Sequence, residues 1–82
     1  MQVILVLDIG NTNITAGVYQ GERLHAHWRI ATVHDRMPDE YGILLAQLFA
    51  HYDLDLGDVT GVAIASVVPA LTRVFREVSH RY

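Results

Sequence analysis

The stretch Val3-Ile4-Leu5-Val6-Leu7-Asp8-Ile9-Gly10-Asn11-Thr12-Asn13 decides the fold. Val3 to Leu7 is an unbroken β-branched and aliphatic run, the pattern of a strand buried on both faces and therefore central in a sheet. Gly10 to Asn13 is a turn cluster. Ile14 to Tyr19 then resumes as a strand with Ile14, Ala16 and Val18 on one face, so the two strands are expected to pair as a hairpin. Asp8 stands at the strand exit, just before a tight loop with glycine, hydroxyl and amide groups, which is a phosphate cradle in outline. Glycine lets the backbone turn so that successive N–H groups converge on an anion. Thr12 offers a hydroxyl, and Asp8 can hold hydrated Mg²⁺ opposite the phosphates. The same residues also suit a plain hairpin turn, with Asn and Gly supplying positive φ and Asp8 solvated at a strand end. Turn chemistry and phosphate-loop chemistry share their residue types, so the pattern alone leaves both readings open.

Further along, Gln20-Gly21-Glu22 marks a second turn. Beyond it the chain alternates, with Leu24, Ala26, Trp28 and Ile30 pointing one way and His25, His27 and Arg29 the other, as in a half-exposed strand. Pro38 suits the first turn of a helix, with Asp39 and Glu40 where the helix dipole favours negative charge. Tyr41, Leu44, Leu45, Leu48, Phe49 and Tyr52 recur at steps of three and four, an apolar stripe for packing on a sheet that ends near Tyr52. Asp53 to Asp58 reads as a polar, solvated linker. Val62 to Val68 reads as a fourth strand, parallel to the first because a helical crossover precedes it. Pro69 opens a second helix whose Leu71, Val74, Phe75, Val78 and Tyr82 make one apolar face. A further parallel strand normally follows such a helix, so the chain is expected to be truncated.

The 82 residues are 51% hydrophobic and 18% charged, enough apolar material for one small folded domain and too little charge for a disordered segment. There is no cysteine, which excludes a disulfide scaffold and a cysteine-type zinc site. A net charge of -3 with scattered arginines disfavours nucleic acid as a partner. The Val3 to Leu7 run lacks a preceding positive charge and ends at Asp8 rather than at a small-residue cleavage site, so it does not read as a signal peptide. No apolar stretch approaches the roughly 20 residues that cross a bilayer, so a membrane partner is not expected and the default location is cytoplasmic. His25 and His27 lack a third ligand nearby, and His34, His51 and His80 are isolated; all read as solvated surface. Asp53, Asp55 and Asp58 lack the glycine and the final glutamate of a calcium loop.

Asp8-Ile9-Gly10-Asn11-Thr12-Asn13 resembles the first phosphate motif of the type III pantothenate kinases, a branch of the actin-like, acetate-and-sugar-kinase superfamily. The resemblance continues through Trp28-Arg29-Ile30 with Thr32, then Asp39-Glu40-Tyr41, then Ser66-Val67-Val68-Pro69, in the same order and at similar spacing as that family's landmarks. It covers essentially the whole chain. It implies an α/β fold, the ribonuclease-H-like half of an actin-like ATPase domain: three antiparallel strands, a helix, a parallel strand and a helix. It also implies phosphoryl transfer from ATP to the primary hydroxyl of pantothenate, the first committed step toward coenzyme A. Mg²⁺ and a monovalent cation, K⁺ or NH₄⁺, would take part, in a homodimer of the full-length protein. On this resemblance Asp8, Gly10, Asn11, Thr12, Asn13 and Thr15 are the cofactor-binding residues, with Asp8 the one that orients the metal.

The family's later Gly-x-Asp-Arg segment, which supplies the presumed base and contacts pantothenate, has no counterpart here. His34-Asp35-Arg36 lacks the glycine and sits too early. The second phosphate motif, of the Asp-x-Gly-Thr type, and the second domain are also missing. Residues 1–82 are therefore expected to be the N-terminal part of the first kinase domain, with no catalytic residue of their own and no turnover alone. Two rivals remain. One is a non-catalytic sibling such as an accessory transcriptional factor that keeps the fold. The other is a ribonuclease-H-like nuclease, which needs several strand carboxylates around two metals where only Asp8 sits on a predicted central strand.

Overall fold

A computed structural model of the protein describes residues 2–81. Four strands form one mixed sheet in the order β3-β2-β1-β4: β1 Val3–Ile9, β2 Asn13–Gln20, β3 Arg23–Ala31 and β4 Gly61–Ser66. The first three pair antiparallel through two hairpins, and β4 joins β1 in parallel with Leu5 opposite Val62 and Ile9 opposite Ser66. Two helices complete the fold, α1 Pro38–His51 between β3 and β4, and α2 Pro69–Arg81 after β4. Among the described residues no helix is long and apolar enough to cross a membrane.

Strand β1 has a neighbour on each side, as its apolar run predicts, but it is covered on one face only. Val3, Leu5, Leu7 and Ile9 are buried, whereas Val6 is 37% exposed and Asp8 is exposed. The reason is that both helices pack on the same face. Tyr41, Leu45 and Phe49 of α1 and Leu71, Phe75 and Val78 of α2 join the inward residues of the sheet in one core, with the Tyr41 and Phe75 rings 4.6 Å apart. An alternating strand and a doubly buried one look alike when the outward positions are also aliphatic, as Ile4 and Val6 are.

Strand β3 departs from strict alternation. Val18 pairs with Ala26 but Tyr19 pairs with Leu24, a β-bulge that leaves His25 as the extra residue. Ala26 and Trp28 keep the inward face, while Leu24 turns outward and lies over Gly17, where a built Cβ would stand 3.4 Å from the leucine Cδ1. Leu24 therefore does not share the core face with Ala26, Trp28 and Ile30. Trp28 packs edge-on against Phe49 and stacks on Tyr52, at 5.6 Å and 5.8 Å between ring centroids.

Helix α1 stops where Asp53 takes a φ of 57°, with Leu54 N–H donating to Phe49 O at 2.8 Å, the left-handed closure usual at helix ends. The segment after it is not simply a solvated linker. Leu54, Leu56 and Val59 pack against the core while the aspartates between them face water, and Asp55 Oδ1 accepts from Gly57 N–H at 2.8 Å to start a short 3-10 turn, Leu56–Asp58. Strand β4 ends at Ser66 rather than Val68, because the Ser66 hydroxyl accepts from Val68 N–H at 3.0 Å and turns the chain into α2. Tyr82, expected on the apolar face of α2, lies outside the described residues.

Candidate phosphate-binding site

The parallel pairing of β1 and β4 brings two strand ends together. Ile9 O accepts from Val67 N–H at 3.1 Å, so the loop after β1 lies beside the start of α2. The carboxyl ends of parallel strands are where open α/β sheets bind ligands. The loop itself is closed by Gly10 N–H donating to Asn13 O at 2.9 Å. A Cβ at Gly10 would stand 3.1 Å from that same oxygen, so this closure favours glycine.

The carbonyls of Gly10, Asn11 and Thr12 are engaged by the connection between β3 and α1. Gly10 O accepts from the Thr32 hydroxyl at 2.8 Å, Thr12 O accepts from Thr32 N–H at 2.9 Å, and Asn11 O lies 3.2 Å from His34 Nε2. A trans peptide points its C=O and N–H in opposite directions. The N–H groups of Asn11 and Thr12 therefore point away from that connection, and among the described residues neither has a hydrogen-bond partner. Successive unpaired N–H groups of this kind form an anion-binding concavity. The Asn13 side-chain amide donates to Thr12 Oγ1 at 3.1 Å, which leaves the threonine hydroxyl proton available to an incoming acceptor.

The connection is held in turn by α1. The Tyr41 hydroxyl donates to Val33 O at 2.9 Å and accepts from Val33 N–H at 3.1 Å, its ring fully buried and the Arg36 guanidinium 5.1 Å above it. Glu40 Oε1 accepts from Met37 N–H at 2.9 Å and closes the helix start, while Asp39 pairs with Arg81. Tyr41 thus carries a structural duty toward the site. Sequence reasoning left Thr32 without a role and read His34 as solvated surface, where it does lie, without foreseeing its contact with Asn11 O. The signal lay in the register, because the pairing of Asn13 with Ala31 sets Thr32 across from Thr12.

Asp8 is exposed on the uncovered face of the sheet. It pairs across the strands with Thr15, and Thr15 pairs with Arg29, so the three stand in one row leading away from the loop-bearing end of β1. None of their side chains makes a hydrogen bond or ion pair among the described residues. The same residues contain no cluster of three metal-binding side chains. A carboxylate beside a loop with unpaired N–H groups has the chemistry that suits Mg²⁺, which keeps several waters and takes one or two carboxylates together with phosphates. The site residues expected from the sequence are therefore brought together: Gly10, Asn11, Thr12 and Asn13 form the loop, with Asp8 and Thr15 on the open face at its base.

Comparison with known proteins gives these features a context. The sequence model of a family described as type III pantothenate kinase matches residues 4–82. A protein of Thermomicrobium roseum named type III pantothenate kinase is 49% identical over 80 residues, which are 98% of this chain and 31% of that protein. Similarly named proteins of Roseiflexus castenholzii and Anaeromyxobacter dehalogenans are each 51% identical over 80 residues, with 31% and 32% of their own lengths covered. The chain spans about a third of the length of the curated relatives it matches.

Proposed function

This chain belongs to the type III pantothenate kinase family, and on that premise we propose that it forms the N-terminal part of the first actin-like domain of an enzyme transferring phosphate from ATP to pantothenate. The observation that carries the reading is the loop Gly10–Asn13, whose carbonyls are tied down while the Asn11 and Thr12 N–H groups have no partner among the described residues, with Asp8 alongside. Phosphoryl transfer asks mainly for positioning and for neutralisation of charge. In this reading the loop N–H groups and the Thr12 hydroxyl grip phosphate oxygens of the nucleotide. Asn13 fixes the Thr12 hydroxyl, and Thr15 stands next to Asp8 on the open face. Asp8 holds the hydrated Mg²⁺ that accompanies ATP, an ion that supplies charge neutralisation on the phosphates.

The base and the pantothenate contacts belong to segments that have no counterpart in these residues, so the chain alone is expected to be inactive. A monovalent cation, a homodimer and a cytoplasmic location are further parts of the proposal and are assigned to no residue here. The test is a coupled ADP-release assay on the whole protein with ATP, Mg²⁺ and pantothenate. Pantothenate-dependent ADP release, lost in Asp8→Asn, is the expected result. Nucleotide binding without turnover would instead favour a non-catalytic sibling and overturn the proposal.

A further inference from the structure

We propose that Thr32 is a positioning residue that holds the loop Gly10–Asn13 in its anion-binding form; this rests on the reading of that loop as a phosphate site. A loop that binds an anion through backbone N–H groups works only if its peptides keep one orientation. The Gly10–Asn11 peptide is the one most free to turn over, because glycine lacks the Cβ that restricts its backbone angles. A flip there would aim Gly10 O, rather than the Asn11 N–H, at the anion. Thr32 blocks that flip by donating its hydroxyl to Gly10 O at 2.8 Å. Its backbone N–H holds Thr12 O at 2.9 Å, so one residue grips the first of the two peptides that carry the Asn11 and Thr12 N–H groups and also the peptide that follows them. Its own place is secured from behind by Tyr41, which clamps both polar atoms of the Val33 backbone. The second contact from this connection, His34 Nε2 with Asn11 O, is exposed and longer at 3.2 Å, which makes Thr32 the principal tether.

Thr32→Val isolates the hydroxyl. It keeps the β-branched shape and the backbone N–H to Thr12 O, and removes only the bond to Gly10 O. In the whole protein, kcat/KM for ATP should fall about tenfold, the scale of one lost hydrogen bond. KM for pantothenate should change less than about twofold, since no pantothenate contact is touched. Thr32→Ser retains the Oγ donor and should recover ATP kinetics to within about threefold of the original. A purely structural role would move the melting temperature while leaving the balance between ATP and pantothenate parameters unchanged. The inference is overturned if Thr32→Val leaves ATP kinetics unaltered, if ATP and pantothenate parameters fall together, or if Thr32→Ser loses as much as Thr32→Val. On the original chain, a Mg²⁺–ATP titration followed by NMR should shift the Asn11 and Thr12 amides. Unmoved amides would overturn the phosphate-site reading itself, and this inference with it, whereas shifted amides with a silent Thr32→Val would overturn the inference alone.

Discussion

The two faces of the sheet are built from the same strands and do opposite work. On the covered face, Val3, Leu5, Leu7, Ile9, Ile14, Ala16 and Val18 are all buried and meet both helices. On the open face the intervening residues grade along the strands. Ile4, Val6, Gly17, Tyr19 and Leu24 form a mainly apolar strip away from the loop, with His27 at its β3 edge, whereas Asp8, Thr15 and Arg29 form a polar row near it. A strand's period of two thus lets one segment supply cohesion on one face and, on the proposed reading, chemistry on the other. Stability should answer to changes on one side and turnover to changes on the other.

Leu7→Ala is the strongest test of that division. Leu7 is 1% exposed, and its truncation should cost about 2–5 kcal/mol of folding stability, a large share of the roughly 4–12 kcal/mol that a domain of this size commands. Urea unfolding of the chain measures it, and a loss below about 1 kcal/mol would break the comparison. Its neighbour Asp8 supplies the reverse case. Asp8→Asn preserves size at an exposed strand end but removes the charge proposed to orient Mg²⁺, so kcat in the whole protein should fall about 10²- to 10³-fold while the melting temperature hardly moves. Near-normal turnover would return Asp8 to the role of a solvated turn residue.

Tyr41→Phe lies between the two. The ring stays in the core, but Val33 loses both of its hydroxyl contacts, and a cost of about 1–3 kcal/mol is expected by urea unfolding. Val6→Thr should do least, within about 0.5 kcal/mol, because Val6 is 37% exposed on the open face and threonine keeps its β-branched shape. A loss as large as that of Leu7→Ala would mean that the open face is as tightly packed as the covered one.

Much of this architecture was legible in the residues. Turn residues at Gly10–Asn13 and Gly21, the prolines at 38 and 69 and the three-four spacing from Tyr41 to Phe49 place every strand and both helices, since these signals act within a few residues of chain. The loop at Gly10–Asn13 and the exposed place of Asp8 at the strand end were legible too, because turn residues and strand periodicity act locally. Leu24 was misplaced, since the bulge at His25 exists only in the pairing of β3 with β2. Leu54 and Leu56 were hidden among aspartates that do face solvent.

The composition and spacing of Asp8 to Asn13 admitted either a hairpin turn or a phosphate loop, and local propensity has no means of choosing between them. Folding adds the geometry on which the proposed phosphate-loop reading rests. Parallel pairing with β4 sets the loop beside the start of α2, and Thr32 and His34, more than twenty residues along the chain, take up three of its carbonyls and leave two N–H groups with no partner among the described residues. Strand, turn and helix identity are local properties, written in the periodicity and conformational limits of neighbouring residues. The direction in which a peptide N–H points, and which strand face stays uncovered, depend on partners distant in sequence, and so arise only when the chain closes on itself.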